Sequence, residues 1–361
     1  MVRFKKVNLN KIYRTEDIMN DYKYLIRSAA IDITNKCNFR CLHCYNYSGE
    51  HQREREMNDD ELLKIFEEIA RLNPDSICIC GGEPLLRINL VYRICDLVKK
   101  INSNISINMV SNGYFMNQDI AANLKKKGLN SIQFSLDGLT EYTHNWLRNN
   151  REAYGHVINA IKIALDEKLI VHLACCPTKK NFNEIKDIIG FCQNLGIGLL
   201  RFQPLMVMGR GTVLKDYALT EEEYMNLARL LKEKNNKKMA IEWGDSLEHL
   251  TNIAFTNKKD SYIDLGISAY GDITVSPYLP ITIGNIRKRS LMEYLEVGIQ
   301  NIYLDSFIKK CAVLMTDWNK MNLHMQYEIF PRVGIDRNIN YDLLDKANND
   351  IDIVQQVMEL K

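Results

Sequence analysis

Three cysteines lie close together near the N-terminus, and their spacing suits an iron-sulfur cluster. Cys37, Cys41 and Cys44 form a Cys-x3-Cys-x2-Cys group that spans eight residues. A [4Fe-4S] cubane normally takes four thiolates, so three thiolates leave one iron open. An open iron can accept a small chelating ligand. The group therefore predicts a cluster that binds and activates a second molecule.

Two other interpretations of the group stay open at this point. A zinc site could use the three thiolates together with His43 or His51, or the three thiols could have no shared role. Zinc sites favour pairs of Cys-x2-Cys separated by a loop, whereas here one compact group follows a predicted strand. The spacing therefore favours the iron-sulfur cluster.

A second motif follows the next predicted strand and reads Gly81-Gly82-Glu83-Pro84. Together with the cysteine group it resembles the radical S-adenosylmethionine (SAM) superfamily, over about residues 28–215. The resemblance implies one [4Fe-4S] cluster, SAM on its open iron, and an external one-electron reductant of the flavodoxin or ferredoxin type. Electron transfer into the sulfonium then gives a 5′-deoxyadenosyl radical that abstracts hydrogen from carbon.

The four residues of the second motif suit the SAM α-ammonium, which the resemblance assigns to them. Glycines allow close approach of a backbone, and Glu83 offers an anionic acceptor to a cationic amine. The same four residues could also form an ordinary turn.

Further polar residues end the later strands, where the resemblance places contacts to the rest of SAM. Ser135 and Asp137 would face the ribose, Asn112 would lie near the methionine or ribose portion, and Arg148 would meet the carboxylate. Ser-Asn-Gly and Asp-Gly sequences are also common turns. His43 is expected to shield the cubane.

The elements that position these residues alternate along the chain. Short β-branched runs are each followed by a stretch of helical period, which predicts parallel strands and right-handed crossovers. The fold class is α/β, a partial (β/α)6 TIM-like barrel with a small α+β C-terminal extension. Six strands are predicted, at 30–34, 76–80, 105–110, 131–136, 170–175 and 199–202, with helices near 57–71, 88–100, 117–127, 154–168 and 181–195.

The regular alternation of predicted strands and helices ends after about residue 205, which indicates a domain boundary. The predicted parts are a leader at 1–28, the barrel at 29–215, an extension at 216–335 and a tail with a helix at 336–361. Residues 266–292 resemble the SPASM or twitch extension of radical SAM maturases. Ser276 stands where that family has a cysteine, so auxiliary clusters are expected to be absent.

Two adjacent cysteines, Cys175 and Cys176, end the fifth predicted strand. Neighbouring side chains on a strand point to opposite faces, so one thiol should face the barrel interior and could return hydrogen to a carbon radical. The alternative is that both are small core residues. Cys78 and Cys80 share one strand face and are expected to be core residues.

Composition excludes several classes of partner. The 47 basic and 45 acidic side chains leave a net charge of +2, which predicts neither nucleic acid nor anionic lipid as a partner. No run approaches the ~18 apolar residues of a membrane span, and no signal sequence is evident. A cytoplasmic location is expected, with thiols kept reduced.

Three functions follow as hypotheses. The first is hydrogen abstraction from a peptide or protein, as in maturases of ribosomally made peptides, with epimerisation or cross-linking as outcomes. The second is small-molecule or cofactor tailoring, such as a haem-pathway reaction or alcohol oxidation. The third is a non-enzymatic electron-transfer or regulatory cluster protein, which the Gly81 to Pro84 motif disfavours because it has no use without SAM.

Overall fold

Apolar runs and amphipathic stretches alternate in the computed structural model as they do in the sequence. The structure describes residues 25–49, 55–206, 209–236, 238–244, 246–259, 262–316 and 338–359. Most of the predicted leader and His51 lie outside these ranges. The strands are β1 Ile26–Asp32, β2 Ser76–Cys80, β3 Ser106–Ser111, β4 Ser131–Ser135, β5 Ile170–Cys175, β6 Leu199–Phe202, β7 Ala240–Trp243, β8 Ile263–Ile267, β9 Asp272–Ser276, β10 Leu279–Asn285 and β11 Ile339–Asn340.

The helices begin where capping residues predict. Asn58 and Thr220 each form a capping box with the acidic residue three positions later. The helices are α1 Asp59–Arg71, α2 Ile88–Ile101, α3 Gln118–Lys126, α4 Glu141–Arg148, α5 Ala153–Asp166, α6 Ile185–Asn194, α7 Glu221–Lys234, α8 Ser246–Phe255, α9 Leu291–Glu296, α10 Ser306–Leu314 and α11 Ile351–Glu359. Within the described ranges, every helix is too short or too polar to cross a bilayer.

One sheet contains all the strands, in the order β11-β10-β9-β8-β1-β2-β3-β4-β5-β6-β7. The six predicted strands are confirmed, and they pair in parallel from β1 to β6. Two strands that the sequence interpretation left in the extension lengthen this parallel part, since β7 pairs with β6 and β8 with β1. The sheet thus continues beyond residue 215, and the domain boundary there stays a prediction.

The extension contributes the antiparallel edge of the sheet. A hairpin turns on Gly271, whose φ of +89° suits glycine, and joins β8 to β9. A second antiparallel pairing joins β9 to β10. Ser290 then caps helix α9.

The sheet curls, so that its two halves approach each other. The Gln203 amide, just after β6, donates a 2.7 Å hydrogen bond to the Tyr278 hydroxyl between β9 and β10, although many strands separate them within the sheet. The fold is therefore an incomplete barrel with a concave interior face.

The two faces of the strands differ in polarity. On β2, Ile77 and Ile79 are fully buried in the main core with the helices, while Cys78 and Cys80 are partly exposed on the opposite face. The partly exposed interior residues of the other strands include Asp32, Asn108, Gln133 and His172. The helices thus pack on an apolar outer face, and the interior face of the sheet is polar and partly exposed.

Candidate functional site

The cysteine group forms a loop at the carboxyl end of β1. Cys41 is buried, and Cys37 and Cys44 are half-buried. All three pack in one small cluster with the rings of Phe39 and Tyr114 and with Ala153. Apolar walls around thiols exclude water, as an iron-sulfur cluster requires.

Nitrogen donors surround the sulfurs. The Phe39 amide lies 3.4 Å from the Cys37 sulfur, and Asn112 Nδ2 lies 4.0 Å from it on another side. Arg148 Nη1 lies 3.9 Å from the Cys41 sulfur. N–H groups aimed at thiolates stabilise the negative charge of a bound cluster. The donor set and its surroundings therefore fit a [4Fe-4S] cluster.

Two buried polar atoms of the loop are without a hydrogen-bond partner, namely Asn38 Nδ2 and His43 Nδ1. Such atoms are rare in folded proteins because an unsatisfied buried group costs about 1–3 kcal/mol. Burial also lowers the pKa of His43 to about 4, so its ring is neutral. Unsatisfied atoms beside the thiols are consistent with a ligand that binds there.

The Gly81-Gly82 pair packs directly on the backbone of the cysteine loop. A Cβ at Gly82 would lie 2.2 Å from the Lys36 carbonyl oxygen, and one at Gly81 would lie 2.5 Å from that of Thr34. The Gly82 amide donates a 2.7 Å hydrogen bond to the Thr34 carbonyl, and the Glu83 amide donates one of 2.9 Å to Lys36. Both glycines are thus required to bring the two predicted motifs together.

The Glu83 side chain ties this turn to the end of β3. It is fully buried. Its carboxylate accepts hydrogen bonds from the Ser111 hydroxyl and the Asn112 amide, both at 2.8 Å, and from the Leu85 amide at 3.0 Å. Burial raises the pKa of Glu83 to about 6, although these hydrogen bonds oppose the shift. Glu83 thus orders the turn that carries Asn112.

Asn112 completes the connection back to the cysteines. Its Nδ2 donates a 2.8 Å hydrogen bond to Asn38 Oδ1. The structure therefore brings Asn112, Glu83 and the cysteine loop into one hydrogen-bonded network, and the assignment of Glu83 and Asn112 to SAM stays a prediction.

Asp137 and Arg148 form a buried ion pair behind the loop. Arg148 Nε lies 2.6 Å from Asp137 Oδ2, and the Cys176 amide donates a 2.8 Å hydrogen bond to Asp137 Oδ1. Burial by itself would raise the pKa of Asp137, but the charge of Arg148, together with the nearby histidines and the Cys176 hydrogen bond, holds it below its usual value. Both carboxylate oxygens therefore accept protein donors, while Ser135 lies apart at the end of β4, partly exposed.

Arg210 is a residue that the sequence interpretation missed. Its side chain donates 2.9 Å hydrogen bonds to the carbonyls of Cys41 and Ser48, and its amide donates one to Cys44. A Cβ at Gly209 would lie 2.4 Å from the Tyr45 carbonyl oxygen. The Gly-Arg-Gly sequence was the available signal, since glycines on both sides of an arginine permit such close approach.

The cysteines outside the loop divide between the apolar core and the interior face of the sheet. Cys175 is buried in the main core with its helix-facing neighbours, and Cys176 packs against Leu147 and Leu214. Their donor role stays a prediction, and this packing favours the alternative of core residues. The expectation that Cys78 and Cys80 are core residues is wrong, because both face the polar interior.

Ser276, which the sequence resemblance places at a cysteine position of the SPASM extension, ends β9. Its hydroxyl lies 2.9 Å from His249 Nε2 and accepts a hydrogen bond from the Tyr278 amide. Cys311 is buried in α10 among core residues. Ser276 thus belongs to a hydrogen-bonded corner of the hairpin.

Comparison with known proteins agrees with this geometry. The sequence profile of the radical SAM superfamily matches residues 31–192. These residues run from β1 to α6 and include both motifs. The chain therefore contains a radical SAM domain. Proteins of this superfamily use a [4Fe-4S] cluster.

Similar proteins of known sequence act on different substrates. The probable GTP 3′,8-cyclase of Methanocaldococcus jannaschii is 31% identical over 50% of this chain and 60% of its own. The sporulation killing factor maturation protein SkfB of Bacillus subtilis is 27% identical over 75% and 65%. The Fe-coproporphyrin III synthase of Methanosarcina barkeri is 27% identical over 57% and 51%. The chain thus spans between half and two thirds of these relatives.

Solved structures share the fold. SuiB of Streptococcus suis, bound to S-adenosylmethionine, superposes with a TM-score of 0.63 at 12% identity, over 87% of this chain and 76% of that one. The same protein has been solved with its precursor peptide SuiA, with a TM-score of 0.57 at 15% identity, over 94% of this chain and 83% of that one. The barrel and the extension of this chain therefore have a fold similar to that of SuiB.

Proposed function

We propose that this chain is a radical SAM enzyme that cleaves S-adenosylmethionine to a 5′-deoxyadenosyl radical and abstracts hydrogen from a peptide or protein. The cleavage of SAM is supported above all by the contact between the cysteine loop and the Gly81 to Pro84 turn. Three thiols lie against the Gly81 to Pro84 turn, at the edge of the sheet where parallel barrels carry their sites, and N–H donors face the sulfurs of Cys37 and Cys41.

Each residue then has a part in holding the cofactors. Cys37, Cys41 and Cys44 would hold the cluster, and the bound cluster would supply one-electron reduction of SAM. The Gly81 to Pro84 turn and Asn112 form the SAM side of the site, and Glu83 keeps that turn in place through its three hydrogen bonds.

Ser135 contributes a hydroxyl toward the ribose in this proposal. Asp137 acts through Arg148, because both of its oxygens already accept protein donors. Arg148 in turn faces the Cys41 sulfur and the SAM carboxylate side. The cysteine loop is closed from the other side by Arg210.

Peptide as the substrate is supported by two of the similar proteins. SkfB is a maturation protein, and SuiB has been solved with a precursor peptide. The alignment with SkfB covers 75% of this chain and so extends beyond the 50% that aligns with the GTP cyclase. The small-molecule alternative is favoured by the polar interior face of the sheet and by the higher identity to that cyclase.

The first experiment tests radical chemistry. Anaerobically reconstituted protein is reduced with an excess of chemical reductant and incubated with SAM, and 5′-deoxyadenosine is quantified by liquid chromatography and mass spectrometry. We expect its formation by the wild type and none by Cys41→Ala. A wild type that forms none would refute the enzymatic proposals and favour a non-enzymatic cluster protein.

The second experiment distinguishes the substrate classes. The protein is co-expressed anaerobically with each short open reading frame that neighbours its gene, and the peptides are examined for a mass change. A change that requires Cys41 supports the peptide proposal. If every neighbouring peptide stays unmodified while extracts of small metabolites raise 5′-deoxyadenosine release, the small-molecule alternative is correct.

A further inference from the structure

A second pair of thiols faces the barrel interior. The sulfurs of Cys78 and Cys80 are 3.4 Å apart on β2, one strand position before the Gly81 turn. Both side chains are partly exposed, whereas Ile77 and Ile79 on the other face are fully buried. The two thiols therefore lie in contact with each other on the partly exposed interior face of the sheet.

Charged groups surround the pair from the neighbouring strands. Asp32 on β1 lies opposite Cys80 in the strand register, and Asn46 donates a 3.1 Å hydrogen bond to its carboxylate. Arg201 on β6 is near enough for its charge to favour the thiolate of either cysteine, and it is paired with Glu242 on β7 at 2.5 Å. The thiols thus lie in a polar environment.

The pair also lies on the cluster side of the interior face. Asn46 lies two residues after the ligand Cys44, and it donates the hydrogen bond to Asp32, which lies opposite Cys80 in the strand register. The Ile33 amide, four residues before the ligand Cys37, donates a 2.9 Å hydrogen bond to the Cys80 carbonyl. Both contacts place the thiol pair beside the cysteine loop. A substrate radical formed in front of the cluster would form within this region.

We propose that Cys78 and Cys80 are a hydrogen-atom donor that quenches a carbon radical in the barrel interior. The proposal rests on the proposed function, which supplies the radical. The S–H bond is weaker than the C–H bond of an unactivated carbon and comparable with that of a peptide α-carbon, so transfer from sulfur to carbon is favourable or nearly thermoneutral. The neighbouring sulfur at 3.4 Å can share the unpaired electron that remains.

The atoms and electrons of this step balance. The substrate carbon radical takes one hydrogen atom, a C–H bond forms, the S–H bond breaks, and a thiyl radical is left. One electron from the flavodoxin- or ferredoxin-type reductant and one proton from the barrel interior restore the thiol. The substrate is thus neither oxidised nor reduced overall, as in an inversion of configuration at carbon.

The first test uses SAM alone and needs no identified substrate. The reduced enzyme cleaves SAM in D2O without added thiol, and the deuterium content of the 5′-methyl group of 5′-deoxyadenosine is measured. Thiols exchange with solvent and carbon-bound hydrogens do not, so deuterium reports a thiol donor. We expect label from the wild type and severalfold less from the Cys78→Ser/Cys80→Ser variant at equal iron content.

The matched controls are Cys95→Ser and Cys192→Ser, whose side chains lie in the main core. Both should retain the wild-type label. Unchanged labelling in the double variant, or an unlabelled wild type, overturns the donor role alone. Absence of 5′-deoxyadenosine from the wild type refutes the proposed function and the donor role with it.

A second test uses the wild-type protein, in case the double variant does not fold. The cluster-loaded protein is treated with limiting diamide, alkylated and digested with trypsin. The peptide 72–87 contains Cys78 and Cys80 and no other cysteine. We expect this peptide to lose two hydrogens and to escape alkylation. Separate alkylation of both cysteines after diamide would overturn the pairing on which the proposal depends.

Discussion

The Arg148 guanidinium bridges a buried carboxylate and a cluster cysteine. Its Nε lies 2.6 Å from Asp137 Oδ2, and its Nη1 lies 3.9 Å from the Cys41 sulfur. Asp137 is fully buried, and its other oxygen is fixed by the Cys176 amide. The carboxylate therefore holds a positive charge in a set position beside one of the three thiolates.

Replacing this charge should change the redox behaviour of the cluster. A positive charge and an N–H donor at a thiolate stabilise the more negative, reduced cluster. Arg148→Gln is therefore expected to lower the midpoint potential, measured by redox titration with electron paramagnetic resonance. Arg71→Gln, which loses only a surface pair with Glu67, should leave the potential unchanged. An unchanged potential in Arg148→Gln would contradict this role.

The cysteine group should carry all of the iron. Cys37→Ala, Cys41→Ala and Cys44→Ala are each expected to lose most bound iron and sulfide after anaerobic reconstitution, measured by chemical analysis. Cys192→Ala removes a buried thiol of α6 and should keep the wild-type content. Wild-type iron should be near that of one cubane, ~4 iron atoms per chain. A content of two or three clusters would show that the extension holds a cluster as well.

The contact between Gly82 and Lys36 should be intolerant of a methyl group. Gly82→Ala places a Cβ 2.2 Å from a backbone oxygen, which must move. We expect a loss of about 1–3 kcal/mol in the free energy of unfolding, measured with denaturant, together with reduced iron content. Gly190→Ala lies within α6 with no atom near its Cβ, and it should be stabilising by about 0.5–1 kcal/mol. Equal effects of both variants would refute the packing argument.

Asp32 should make stability depend on pH. Burial raises its pKa from 3.8 to about 7, so between these values the folded protein binds a proton that the unfolded chain does not. The free energy of unfolding must therefore fall as pH rises through this window. Asp32→Asn is expected to be more stable than the wild type at pH 8 by on the order of 2–4 kcal/mol, and not at pH 4. Denaturant titrations at both values test this, and a constant difference would contradict it.

The sequence alone predicted the chemistry and the order of the elements. The spacing of Cys37, Cys41 and Cys44 is local, as is the Gly81 to Pro84 turn, and both follow strands of period two. Local patterns of this kind can be recognised in the sequence because they depend on a few neighbouring residues. The six parallel strands and the helix after Asn58 followed from the same local signals.

Only the tertiary structure decided which side chains meet. The partners of Glu83 are 28 and 29 residues away, and Arg148 reaches a sulfur 107 residues away. The interior face of β2 depends on how the sheet curls, so the exposure of Cys78 and Cys80 could not be predicted from their alternation with isoleucines. Likewise, β7 and β8 join the parallel sheet through pairing with distant strands. Contacts at such separations depend on the packing of the whole chain, which no local pattern specifies.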